Sequence, residues 1–263
     1  MIGKRILIDP MGGLYFDENL KEYRWQKKPI REVQSDVLTM EIAYPIYDVM
    51  RTVGADVYST RCLRKTQADT GESGNALYKE SAYLYLRNCR LKPSLREHKT
   101  NMHLPEWVWN DGATALERDR KARANYAKYL KADLVIVVDI TNYAVDEGLE
   151  AAHNGKPEAE IIADKIIRET AKRTRRRMSG VRYAMDDESA YMGLDMPVVI
   201  INCGSSFNPF TQFRLQQSWY RESLALGIFA GAWKHYVPQD PGPGSNGQKS
   251  PESIVAVPTP TTA

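Results

Sequence analysis

Ile6-Leu7-Ile8-Asp9-Pro10-Met11-Gly12-Gly13 is the stretch that decides the architecture. Three apolar residues in a row read as a strand buried on both faces, and the proline and paired glycines end it in a tight turn. Downstream, a helical pattern runs from Thr39 to Gly54 with Met40, Ala43, Ile46, Tyr47 and Met50 at three- and four-residue steps on one face. Gly54 closes that helix, and Ala55–Arg61 follows as a second strand. A helix around Ala124-Asn125 leads into the strand Ala132–Asp139, and a helix from about Glu158 to Arg177 aligns Ile162, Ile166 and Thr170. Met196–Gly204 is the last strand, with a helix from about Pro209 to Tyr236 after it. Strands alternating with helices predict an α/β fold, a mostly parallel sheet with helices on both faces. In such sheets ligands sit beyond the carboxyl ends of the strands, where Met11, Asp139 and Asn202 fall.

The order of these segments, over about residues 4–61 and 113–237, resembles the zinc-dependent N-acetylmuramoyl-L-alanine amidases. The first strand of that family ends in D-P-G-H-G-G, and Met11 stands where its first histidine ligand would be. The family strand A-D-L-F-I-S-I-H-A-N matches Ala132–Asp139, with Asp139 at the second histidine, and Gly148-Leu149-Glu150 is similar to the edge segment that follows. The ligand glutamate falls at Ser35, or at Gln34 with one residue inserted, and Glu32 lies close by. P-A-V-L-V-E-L-G-F is similar to the strand at Pro197, with Asn202 in place of the general-base glutamate. The resemblance therefore implies an amidase-like fold with a degenerate pocket of Met11, Gln34, Ser35, Asp139 and Asn202. No zinc is expected there, although active relatives carry it, because a thioether and neutral oxygens lack the charge and basicity of the usual ligands. An asparagine cannot take a proton from water.

Each of these residues also has a plainer role. Methionine is a common core filler, a lone aspartate at a strand end caps turns, and asparagine bonds its own backbone. His98, His103, His153 and His235 show no metal-ligand spacing. A net charge of +3 does not call for a nucleic-acid partner, and the basic run Lys172–Arg177 reads as a solvated helix terminus. Cys62, Cys89 and Cys203 are odd in number and lack C-x-x-C spacing, which predicts reduced thiols. No apolar run is long enough to span a membrane, and the chain opens on a charged pair and a strand without a signal peptide. Synthesis in the cytoplasm is expected, and the leaderless form resembles the phage branch of the family, in lysis or in the virion.

Of 263 residues, 43% are hydrophobic, enough for one substantial core, so the expected organisation is a domain at 1–237 with an insertion at 62–112 and a Pro/Gly-rich tail at 238–263. The insertion, about fifty residues long, is too long for a structureless loop and is expected to carry a helix around Asn75–Cys89. Its aromatic residues Tyr78, Tyr83, Tyr85, Trp107 and Trp109 are candidate interface anchors. The expected function is a catalytically silent amidase-like protein, reused as a structural or wall-interacting component of a phage virion or tail. Its partners would be other subunits of the assembly, peptidoglycan or a muropeptide. The alternatives are a peptidoglycan hydrolase with atypical metal ligands and a regulatory pseudoenzyme that binds muropeptide.

Overall fold

The backbone of this computed structural model is organised by the strand Arg5–Pro10 (β1), whose side chains alternate between two cores. Ile6 and Ile8 enter one core and Leu7 the other, so the strand is apolar on both faces. The same alternation holds for Leu134–Thr141 (β5) and Val198–Ser205 (β8): Ile136 and Val199 face one way, Val137 and Ile200 the other. With Asp56–Ser59 (β4), Leu149–His153 (β6) and Met178–Tyr183 (β7) they form a six-stranded sheet in the order β4-β1-β5-β8-β6-β7. The first four strands of that order are mutually parallel; β6 runs antiparallel to β8 and parallel to β7. The sheet is thus mostly parallel, but β6 is an interior strand and β7 the true edge, where the sequence suggested an edge at Gly148–Glu150. A separate hairpin, Leu14–Asp17 (β2) with Glu22–Trp25 (β3), sits between β1 and the first helix. Residues 1–29, 31–65, 70–71, 73–91, 104–141 and 148–237 are described; the tail at 238–263, His98 and His103 lie outside them.

Helices Ser35–Thr52 (α1), Pro157–Thr174 (α5) and Ser218–Tyr236 (α7) cover one face of the sheet. Helices Ala82–Leu91 (α2), Glu106–Trp109 (α3) and Ala115–Leu130 (α4) cover the other. Helix α1 buries Met40, Ala43, Ile46, Tyr47 and Met50, the face its periodicity sets. Helices α5 and α7 meet at glycines: a Cβ on Gly231 would lie 2.3 Å from Ile166 Cα, and one on Gly227 2.4 Å from Thr170 Cα. The last helical segment is broken in two, Pro209–Gln216 (α6) and α7, with Gln217 extended between them. In the basic run, Lys172 and Arg173 occupy the last turn of α5, while Arg176 turns inward to the hydroxyls of Thr211 and Tyr220 at 3.4 and 3.3 Å. The run is therefore divided between a helix end and the interior.

The described residues of the insertion pack onto the domain itself. Tyr85 is 1% exposed and Tyr83 6% exposed within the second core, while Tyr78 and Trp109 are half-buried. Of the five aromatic anchors only Trp107, at 49% exposure, presents a surface. The reason lies in α2, which packs against α4 and α3 and carries Tyr83 and Tyr85 into the second core, so these two present little surface to a partner. The helix expected around Asn75–Cys89 is present but begins at Ala82, after a single 3-10 turn at Leu77–Lys79.

Candidate functional site

At the carboxyl end of β1 the chain turns sharply: the Met11 amide donates to Val138 O at 3.0 Å, and Gly12 and Gly13 take φ of +94° and +115°. Both values lie where side chains are strained, and neither glycine has room for one. A Cβ on Gly12 would fall 2.1 Å from Asp36 Oδ1, and one on Gly13 2.7 Å from the Ser81 backbone.

Two buried arginines fix this turn from below. Arg61 donates to five main-chain carbonyls: Glu80, Pro10, Met11, Asp36 and Tyr78. Arg123 donates to Pro10 O at 3.1 Å and Gly12 O at 2.8 Å, and is ion-paired with Asp9 and Asp119. Asp9 also accepts from Thr60 Oγ1 at 2.5 Å and from the Tyr191 hydroxyl. Burial draws the Arg61 pKa down to about 10. Burial also opposes the charge on Arg123, but Asp119 and Asp9 outweigh it and raise that pKa. Burial, then the charge on Asp9, pushes Tyr191 well above the usual phenol range, so it acts as a fixed donor.

Above this floor stand the residues singled out in the sequence. Met11 is half-buried, with the Tyr191 hydroxyl donating to its sulfur at 3.5 Å. Asp139 pairs in register with Asn202 across β5 and β8. The Asn202 side-chain oxygen accepts the Gly204 amide at 3.0 Å, so it is committed to its own turn. Gln34 is the N-cap of α1 without capping it through its side chain, and its Oε1 is buried with no partner among the described residues. Ser35 is buried at the first position of α1, and Glu32 is exposed. His153 lies at the opposite end of the sheet, paired with Val199, and its Nδ1 accepts the Gly155 amide at 3.2 Å. His235 closes α7 against Glu158 at 2.9 Å. The three cysteines are buried and in no disulfide, and burial raises the Cys203 thiol far above its usual value.

Three further groups belong to the site and were not singled out in the sequence. Lys27, just past β3, donates its amide to Asp36 Oδ2 at 3.3 Å, and its ammonium is ion-paired with Asp139 while donating to Ile140 O at 2.7 Å. Asp36, in the first turn of α1, is wholly buried, its Oδ1 is without a hydrogen-bond partner among the described residues, and burial raises its pKa against the pull of Lys27 and Arg61. Glu150, at the start of the reversed strand β6, lies opposite Asn202 and is held by Arg182 at 2.9 Å, which also grips Glu188. A strand antiparallel to β8 delivers its first residue, not its last, to the carboxyl ends of the parallel strands.

No three histidine, cysteine, aspartate or glutamate side chains converge to hold a metal among the described residues. The donor set does not fit zinc: Met11 offers a thioether, Asn202 a committed amide, and the Asp139 carboxylate is engaged by an ammonium. A separate cavity of about 510 Å³ lies between α1 and the start of α7, where Glu41 is ion-paired with Lys65 and Arg221; none of the site residues lines it.

The fold is similar to that of N-acetylmuramoyl-L-alanine amidase catalytic domains. The structure superposes on an N-acetylmuramoyl-L-alanine amidase from Clostridium difficile 630 with a TM-score of 0.59 at 14% identity, covering 91% of this chain and 100% of that one. The catalytic domain of CwlV, an N-acetylmuramoyl-L-alanine amidase from Bacillus (Paenibacillus) polymyxa var. colistinus, gives 0.57 at 15% identity, with 88% and 97% covered. The CwlD amidase from Clostridioides difficile, solved in complex with the GerS lipoprotein, gives 0.53 at 14% identity, with 89% and 98% covered. The likeness is one of fold. No family model matches the sequence, and no curated protein matches it either.

Proposed function

We propose that this chain is an amidase-fold protein without amidase chemistry, used as a structural or wall-interacting component of an assembly such as a phage virion or tail. The observation that carries the reading is the ion pair between Lys27 and Asp139, which places an ammonium on the carboxylate at the second ligand position. With Met11 and Asn202 at the neighbouring strand ends, the family's ligand and general-base positions offer a thioether and an amide, neither suited to hold a metal that activates water or to take its proton. Purified protein is expected to release no peptide from muramyl residues above background and to retain no stoichiometric zinc after dialysis. Chelator-sensitive lysis in a zymogram, or one zinc per chain by elemental analysis, would overturn this reading.

The alternative, a peptidoglycan hydrolase with displaced ligands, draws on one observation: Asp36 supplies a second carboxylate at the base of the pocket with an unpartnered oxygen. The same zymogram decides between the two.

A role in assembly needs an exposed surface, and of the five aromatic residues singled out in the insertion Trp107 alone provides one. A better candidate surrounds α6: Phe207, Phe210, Phe213 and Trp219 are 52%, 75%, 65% and 56% exposed. Phe210 and Phe213 are three residues apart and so share one side of the helix. Large exposed aromatics grouped in this way are the usual anchors of protein interfaces. The double substitution Phe210→Ser and Phe213→Ser is expected to leave the circular dichroism spectrum and melting temperature within error while weakening self-association or particle incorporation at least about tenfold. Unchanged sedimentation and incorporation would remove this face from the assembly. No helix among the described residues is long and apolar enough to cross a membrane.

A further inference from the structure

We propose that Lys27 is the resident cation of the pocket, an ammonium built into the chain that holds Asp139 and closes the site to divalent metal ions. The inference deepens the non-catalytic reading above and rests on it.

The argument begins with how Lys27 is placed. Its main chain is tied to one carboxylate, Asp36 Oδ2 at 3.3 Å, and its side chain reaches across to another, Asp139. The same ammonium donates to Ile140 O at 2.7 Å, so the head group is fixed by a carboxylate and a carbonyl of β5 together. Lysine and aspartate side chains are each 18% exposed, far from the freely solvated state in which such pairs contribute almost nothing. Ordering a long flexible side chain costs entropy, and the carboxylate it reaches is the one at a strand end beside Met11 and Asn202. A divalent ion seeking Asp139 would have to displace a bonded ammonium and then remain beside it, and the repulsion between like charges at such range is large in a partly dry site. Lysine also cannot serve as a ligand in this state, because a protonated amine has no lone pair. A single loop residue thus supplies the positive charge that balances the carboxylates and removes the donor that a metal would need.

The test adds metal alone to four proteins: the unaltered chain, Met11→His, Lys27→Met, and the double variant. Met11→His supplies an imidazole beside Asp139, and Lys27→Met keeps the apolar stem while removing the charge. Zinc binding is measured by titration calorimetry near neutral pH, with circular dichroism to verify folding. The double variant is expected to bind one zinc per chain at least about tenfold more tightly than Met11→His alone, and adding Asp139→Asn should abolish the gain. Lys27→Gln, which keeps hydrogen-bonding capacity without the charge, should behave like Lys27→Met if that variant folds poorly, and Lys27→Arg should keep zinc out. The proposal is overturned if folded Met11→His binds zinc as tightly as the double variant, or if removing the lysine charge brings no gain. A lysine that only braced the loop would lower the melting temperature without changing metal affinity. Zinc bound stoichiometrically by the unaltered chain would overturn the functional reading itself, a result separate from equal affinities among the variants.

Discussion

Arg123→Met is expected to lower the unfolding free energy by about 3–5 kcal/mol, the usual cost of removing one partner from a buried ion pair. Arg123 is 1% exposed and its charge is balanced by Asp9 and Asp119, both fully buried. Taking it away leaves two carboxylates without their cation and removes the Arg123 bonds to the Pro10 and Gly12 carbonyls, of which Pro10 keeps Arg61 as a donor. Unpaired charge is the larger penalty, because isolated carboxylates are poorly tolerated away from water. Arg123→Lys should recover only part of the loss, since an ammonium keeps the charge but cannot reproduce the planar fork that reaches both carboxylates and both carbonyls. Urea unfolding followed by circular dichroism measures the effect. A midpoint for Arg123→Met within error of the parent would mean that the network contributes nothing net to stability.

Gly231→Val is expected to be the second severe substitution, destabilising by about 1–3 kcal/mol or more through overpacking. The Cβ alone would stand 2.3 Å from Ile166 Cα and 2.6 Å from Ile166 N, and these are backbone atoms that cannot rotate aside. Helices α5 and α7 would have to separate, and with them part of the core formed by Ile162, Ile166, Ile228 and Ala232. Gly193→Ala is the matched control, because nothing lies within 4 Å of a Cβ there. Its effect should stay within roughly 0.5 kcal/mol, the ordinary range for open positions. Equal melting temperatures for the two variants would show that the α5–α7 contact can relax without cost.

The fold was legible where burial is two-sided or strictly periodic. The runs Ile6–Ile8 in β1, Leu134–Val138 in β5 and Val198–Ile201 in β8 are apolar throughout because both faces of the sheet are covered, and α1 declares its inner face through Met40, Ala43, Ile46 and Met50. Edge elements were harder to see. Strand β7, Met178-Ser179-Gly180-Val181-Arg182-Tyr183, has a weak apolar pattern since it is half exposed, and the hairpin of β2 and β3 is likewise solvated on one side. The direction of β6 has no sequence signature, so the delivery of Glu150 to the site could not be read from its neighbours. The break between α6 and α7 falls at Gln216-Gln217, with neither glycine nor proline to mark it.

The site was legible only in part, for a different reason. Met11, Asp139 and Asn202 sit at strand ends and follow from the topology, but Lys27 reaches Asp139 across 112 positions of sequence from a loop with no periodicity. Tertiary contacts of that kind leave no local trace. Asp36 was hidden by position: it is one residue beyond Ser35 and two beyond Gln34, and only the fold turns its carboxylate into the space that Gly12 leaves open.

The two arginines beneath the glycine turn have a consequence for how such a protein changes over generations. The turn that carries Met11 is shaped by guanidinium groups bonded to its carbonyls, with no demand on whatever occupies the space above. Replacements facing that space can therefore accumulate with little loss of foldedness, provided the arginines and Asp9 stay in place. In such an arrangement the backbone of the turn and the side chains displayed on it answer to separate constraints, the first to folding and the second to whatever task the pocket has.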